Sequence, residues 1–241
     1  ATSAVCVTGL VVRDTATYWS VFGQGVILFL IQIGGMGIVT VAVAATSLSG
    51  RKIGLMQRST MQEAVSAHHV GGIVRLTKFI LKTTVVIEFL GAALLCPIFI
   101  RDFGINGIWY SIFHSVSAFC NAGFDLMGVK GQFSSLTTYY SNPFVNIVIM
   151  ALIIIGGIGF LTWEDIKNNK FHFRKYRMQS KVILSVTVIL IVVPAVYFFF
   201  FFFFFFLLGE RILTSLFQSL TPSTAGFNTT DLSKFSETGQ M

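Results

Sequence analysis

Three short segments of this chain align without gaps: Ala4-Val5-Cys6-Val7-Thr8-Gly9-Leu10, Ala118-Phe119-Cys120-Asn121-Ala122-Gly123-Phe124 and Thr221-Pro222-Ser223-Thr224-Ala225-Gly226-Phe227. Each carries a small thiol or hydroxyl residue, two variable residues, a glycine, and then Leu or Phe. The chemistry these loops suit is the binding of a dehydrated cation by main-chain oxygens. An ion stripped of water inside a membrane needs oxygens of comparable field, and rings of carbonyls supply them without a fixed charge that would trap it. Carbonyls can line such a path only where the backbone is extended and takes unusual dihedrals, which glycine permits. Non-helical backbone at that depth survives only where it lines a watery cavity or is buried in protein. A short helix whose C-terminal end faces the cavity adds a favourable field for a cation.

Such loops need membrane-spanning elements around them, and the composition provides these. Of the 241 residues, 54% are hydrophobic and 11% charged, against about 25% charged in a soluble domain. The chain therefore reads as an all-α membrane protein. Four apolar runs are long enough to span a bilayer at about 20 residues each: Trp19–Leu48, Ile73–Ile100, Phe144–Trp163 and Val182–Leu208. Two shorter segments, Ile108–Phe119 and Ile212–Leu220, end in the glycine motifs and read as re-entrant pore helices. Pro194 is expected to kink the fourth span. The phenylalanine run Phe198–Phe206 is apolar enough for lipid, and nothing in the sequence assigns it a mechanism.

Charge placement orients the spans. Arg51, Lys52, Arg58, Arg75, Lys78 and Lys82 precede or open the second span, and Lys167, Lys170, Arg174, Lys175, Arg177 and Lys181 separate the third from the fourth. By the positive-inside rule these stretches are cytoplasmic and the glycine loops face outward. The net charge of +7 forms no basic patch with interleaved aromatics, so nucleic acid is not its partner. Cys6, Cys96 and Cys120 have no CxxC spacing and imply neither a disulfide framework nor a zinc site.

A second repeat supports the first. Ile33-Gly34-Gly35-Met36-Gly37-Ile38-Val39-Thr40 matches Ile155-Gly156-Gly157-Ile158-Gly159-Phe160-Leu161-Thr162, each one span beyond a glycine loop. The unit is span, re-entrant loop, span, resembling one quarter of a potassium channel. It divides the chain into a filter loop and inner span (1–48), a cytoplasmic loop (49–72), a complete second repeat (73–163), a second cytoplasmic loop (164–181), and the outer span and filter loop of a third repeat (182–241). That is about 2.5 repeats. The absence of an initiator Met leads to the expectation of a piece of a longer protein.

The segments Thr2–Leu10, Ser117–Leu126 and Gln218–Asp231 closely resemble filter loops of the Trk/Ktr/HKT superfamily of potassium transporters, especially KtrB/TrkH-type membrane subunits. The resemblance covers essentially the whole chain. It implies four such repeats around one pore, like a potassium channel in one chain. This chain is therefore expected to hold an incomplete set of about 2.5 of 4 repeats, to lack the first pore helix and the fourth loop, and not to conduct alone. The resemblance also implies multi-pass residence in the bacterial cell membrane among lipid and potassium uptake, with sodium coupling or sodium transport as the variants. It further implies a homodimer docked on a cytoplasmic nucleotide-binding regulatory ring of the KtrA/TrkA type. Glycine in the first filter is associated in that family with potassium and serine with sodium, so Gly9, Gly123 and Gly226 favour K+ over Na+. Carried over, the coordinating carbonyls are those of Val7, Thr8, Gly9, Asn121, Ala122, Gly123, Thr224, Ala225 and Gly226.

Other residues have narrower readings. Glu88 lies inside the second span, where an acid is costly enough to suggest a structural bond to a neighbouring helix or a place on the ion path. Asp14, Asp125 and Asp231 flank the filters and either concentrate cations at the mouth or are solvated loop charges. The glycine clusters read as close-packing helix faces. His114 reads as a pore-helix packing residue and His68-His69 as a loop pair without metal-ligand spacing. Arg51–His69 has amphipathic spacing suited to a membrane surface or to the regulatory ring. No phosphate-binding loop, paired catalytic acids or Ser/His/Asp set is present, which excludes an enzyme or ATP-driven pump. A carrier of a larger solute working by rocking repeats fits pore-sized glycine loops less well.

Overall fold

The computed structural model describes residues 1–37, 40–41, 73–170, 172–201 and 208–229, and regular structure among them is entirely helical. The expectations for Arg51–His69, Asp231 and Phe202–Phe206 fall outside these residues. In chain order the helices are α1 (Thr2–Val5), α2 (Thr15–Tyr18), α3 (Val21–Met36), α4 (Ile73–Phe103), α5 (Asn106–Phe119), α6 (Pro143–Gly157), α7 (Phe160–Asn169), α8 (Met178–Phe201) and α9 (Leu208–Thr224). Short 3-10 turns sit at Met127–Val129, Thr137–Tyr139 and Phe173–Lys175.

Local chemistry fixes the ends. Asp14 caps α2 by accepting from the amides of Ala16 and Thr17, Ser20 caps α3 by accepting from Gly23, and Asn142 caps α6, with Pro143 at its first position. Asp165 accepts from the Arg177 amide at 3.0 Å and the Ser180 hydroxyl at 2.6 Å, which ties α7 to the start of α8. Arg177 adds ion pairs to Glu164 and Asp165.

Helices α4 and α8 are each long and apolar enough to cross a membrane. Along α8, Val188, Ile189, Val192, Val193 and Val196 are all more than half exposed within this chain. Such a surface needs lipid or further protein, not water. The helix passes Pro194 without ending.

The third span departs from expectation. The sequence reads Phe144–Trp163 as one apolar run, whereas the structure breaks it into α6 and α7, which meet at 95° across Ile158-Gly159. Hydropathy cannot detect the bend, because the residues beyond it stay apolar until Glu164. The first span breaks at the equivalent place: α3 stops at Met36 and Gly37 leaves it at φ 81°, close to the 82° of Gly159. The pore helices are longer than expected, at 14 residues in α5 and 17 in α9. One turn of the first, α1, is also present.

Helix α5 lies near the centre of the core. Its Phe113, Ala118 and Phe119 pack with Phe99, Leu126, Ile149, Leu152, Phe217 and Phe227, contributed by α4, α6, α9 and the loops. In lipid, apolar burial does little to hold helices together, so close backbone approach and polar bonds between helices carry the packing.

Candidate functional site

The motif loops begin where α1, α5 and α9 end. At the end of α5, the Asn121 amide donates to Ala118 O (3.1 Å) and the Ala122 amide to Ser117 O (2.8 Å), with Asn121 at φ 57°. This is a Schellman ending, with the left-handed residue one place beyond the cap. Helix α1 ends alike: the Thr8 amide donates to Ser3 O (3.0 Å) and Val7 takes φ 54°. A branched residue there costs about 1–2 kcal/mol, and surrounding contacts hold it in place. The Asn121 side-chain amide lies 3.2 Å from the carbonyl oxygens of both Ala118 and Ile153, which it meets as a donor. Helix α9 continues two aligned positions further, through Thr224, and its closing bond comes one position later, from the Gly226 amide to Thr221 O (3.2 Å).

Each loop then turns at its glycine, with φ 70° at Gly9, 70° at Gly123 and 74° at Gly226. The structure brings the three loops together in chain order. A Cβ on Gly9 would stand 2.7 Å from Ala122 O, and one on Gly123 would stand 2.3 Å from Ala225 O. A Cβ on Gly226 would meet Gly123 Cα at 3.9 Å. Two independent constraints, dihedral and contact, therefore demand glycine at Gly9 and Gly123. Both neighbouring atoms are backbone oxygens, so a carbonyl of the second loop abuts the glycine of the first, and a carbonyl of the third abuts the glycine of the second.

The glycine clusters behind the loops do two different jobs. A Cβ on Gly34 would lie 2.1 Å from Val5 O, and one on Gly156 would lie 1.8 Å from Phe119 O. These aligned glycines let α3 and α6 dock on the last residue of their own pore helices, in line with the expected close packing. Gly37 and Gly159 instead form the helix breaks, a role the sequence did not separate from packing.

Glu88 bridges repeats. Its carboxylate accepts from Gln32 Nε2 at 2.8 Å, which joins α4 to α3, and its carbonyl accepts from Ser115 Oγ at 2.7 Å. Gln24 adds a second link, accepting from Trp109 Nε1 at 2.8 Å. Gln32 was visible in the sequence as a polar residue inside an apolar run, yet nothing there said that it faces Glu88.

A collar from Met127 to Asn142 ties the loop ends together. Asp14 is 5% exposed and accepts from the Phe133 amide at 2.9 Å as well as capping α2. Its reading as a solvated charge is thus corrected: its oxygens fill the space beside Gly128, where a Cβ would fall 2.0 Å from Oδ1. On the other side, the Leu136 amide donates to Asn228 O and the Asn228 amide donates to Ser135 Oγ. Phe133 and Ser135 hold left-handed dihedrals at φ 57° and 48° within this collar. Lys130 pairs with Asp102, which also accepts from the Tyr139 hydroxyl. That bond and burial push the Tyr139 hydroxyl above its ordinary range.

Asp125 is half-buried and accepts from the Met127 amide at 2.9 Å. Burial, opposed by that bond and reinforced by the Asp14 charge, raises its carboxyl to about 6. His114 is fully buried: its Nδ1 lies 2.7 Å from Tyr110 O, which accepts from it, and its Nε2 accepts from the Leu126 amide at 3.4 Å. It does more than pack. No cluster of three or more His, Cys, Asp or Glu residues suited to a metal occurs among the described residues.

A family model described as "TrkH: Cation transport protein" matches residues 1–241. The potassium/sodium uptake protein NtpJ of Enterococcus hirae is 40% identical over 99% of this chain and 53% of its own length. The Ktr system potassium uptake protein B of Bacillus subtilis is 37% identical over 98% of this chain and 54% of its own. The protein of the same name from Vibrio alginolyticus is 32% identical over 98% of this chain and 53% of its own. The chain spans about half the length of these curated relatives.

Proposed function

Since the chain belongs to the TrkH family of cation transport proteins, we propose that it forms part of a potassium-uptake path in the bacterial membrane. The loops ending in Gly9, Gly123 and Gly226 serve as its selectivity filter. The observation that carries this reading is the edge-to-edge placement of Gly9 against Ala122 O and Gly123 against Ala225 O. Three loops with backbone oxygens at this spacing can replace an ion's water shell on three sides, with the carbonyls of Val7, Thr8, Gly9, Asn121, Ala122, Gly123, Thr224, Ala225 and Gly226 as ligands. The fourth side belongs to another part of the full protein, so conduction is a property of that whole. The filter faces outward and the basic stretches inward. Glu88 serves as an inter-repeat tie rather than an ion ligand, because its carboxylate is engaged by Gln32.

Relatives named as potassium and as potassium/sodium uptake proteins support cation uptake of this class. Potassium is the cargo, and sodium acts as a coupling ion or second cargo. Two relatives are named as proteins of a Ktr system, and the proposal extends to a homodimer seated on a cytoplasmic nucleotide-binding ring, as the resemblance of the loops implies. The test is potassium-limited growth of an uptake-deficient bacterial strain expressing the full gene. Growth restored by the native sequence and lost or made sodium-sensitive by Gly123→Ser supports the reading. Growth indifferent to Gly123→Ser overturns the filter assignment.

A further inference from the structure

The loop at Gly123 is braced from behind by two side chains of its own pore helix, Ser117 and His114. Ser117 engages the loop on both sides of Gly123. Its carbonyl accepts from the Ala122 amide at 2.8 Å, and its Oγ donates to Phe124 O at 2.6 Å. One turn earlier, His114 Nε2 accepts from the Leu126 amide. The bonds fall at residues 122, 124 and 126, on both sides of the turn at Gly123, so the helix ties the loop down before and after its glycine. The His114 ring also stacks on Phe227, which follows the third filter glycine, with centroids 6.4 Å apart and planes at 28°. Both residues are fully buried.

Aligned by the motif, Ser117 corresponds to Ser3 and Leu220, and His114 corresponds to Phe217. Ser3 Oγ bonds the Thr8 hydroxyl at 2.9 Å rather than a loop carbonyl. The side chains of Leu220 and Phe217 are hydrocarbon and carry no hydrogen-bonding group. Resting on the filter reading above, we propose that Ser117 is a positioning residue for selectivity. By binding Phe124 O it turns that carbonyl away from the ion path and fixes the outer limit of the oxygen cage at Gly123, and His114 extends the brace to Leu126 and the third loop.

The experiment measures potassium and sodium uptake by the protein expressed from its full gene in an uptake-deficient strain, with membrane-inserted protein quantified. Ser117→Ala is expected to raise sodium relative to potassium uptake by about threefold to tenfold, the equilibrium equivalent of one neutral hydrogen bond. Ser117→Thr, which keeps the hydroxyl, restores the native ratio. Ser115→Ala is the control: it removes an equally buried hydroxyl of α5 bonded to Glu88 O, and it should lower the amount of protein without moving the ratio. If Ser117→Ala does not reach the membrane, Ser117→Cys carries the same test, keeping the volume and weakening the donor. An unchanged ratio in the inserted variant, or an equal shift in Ser115→Ala, overturns the proposal. Gly123→Ser separates the two readings. If it shifts the ratio and Ser117→Ala does not, the filter stands and the brace falls. If neither does, both fall.

Discussion

The loop at Gly123, proposed above as part of a filter, and the helix break at Gly159 both place a glycine at positive φ, 70° and 82°, but in opposite surroundings. Around Gly123 the space for a Cβ is taken by a carbonyl of the next loop, whereas around Gly159 no atom comes within 4 Å. The helical glycine Gly156 completes the contrast, with ordinary dihedrals and a backbone oxygen 1.8 Å from any added Cβ. Glycine therefore serves contact alone at Gly156, contact and conformation together at Gly123, and conformation alone at Gly159. The effects of substitution should follow that division.

The largest loss is expected from Gly156→Ala. The clash is with the Phe119 carbonyl and no rotamer can relieve it, so the cost should exceed the about 1–3 kcal/mol of ordinary overpacking. Loss of membrane-inserted, detergent-stable protein checks this; a native yield would show that α6 can move away from α5. Next comes Gly123→Ala, which should insert but lose about tenfold or more of potassium uptake, from dihedral strain added to the displaced Ala225 oxygen. Unchanged uptake would show that the crowding there is not functional.

Gly159→Ala should cost only about 1–2 kcal/mol through its dihedral, read as a lower thermal midpoint with uptake largely kept. A loss as large as that of Gly123→Ala would give the break a direct part in conduction. The smallest effect concerns Asp125, whose carboxyl titrates near 6. Acidifying the outer medium through that value protonates it and removes a negative charge beside the filter. Uptake at limiting potassium should then fall about twofold to threefold, and Asp125→Asn should flatten that step.

Much of this was legible in the sequence because repeats announce themselves. The three motif loops, the paired glycine clusters and the short helices before Gly123 and Gly226 all followed from self-alignment and segment length. What stayed hidden depends on dihedrals or on distant partners. The sequence does not distinguish Gly159 from Gly156, since apolar residues run through both sides of the break. Nor does it show that Asp14 reaches Phe133, 119 residues away, or that Gln32 meets Glu88, 56 residues away. Ser117 looked like one more small residue in a pore helix, and its two-sided grip on the loop emerges only with the Schellman ending.

The consequence of Leu220 standing where the second loop has Ser117 reaches beyond this chain's stability. In a pore assembled from identical subunits, any substitution is imposed on every quarter of the ring at once, and a brace can only be kept or lost everywhere. Here each loop is encoded separately. If the loops form the proposed filter, selection can relax one side while another stays rigid, so the site can drift toward a new ion one side at a time without passing through a ring in which all sides are loose.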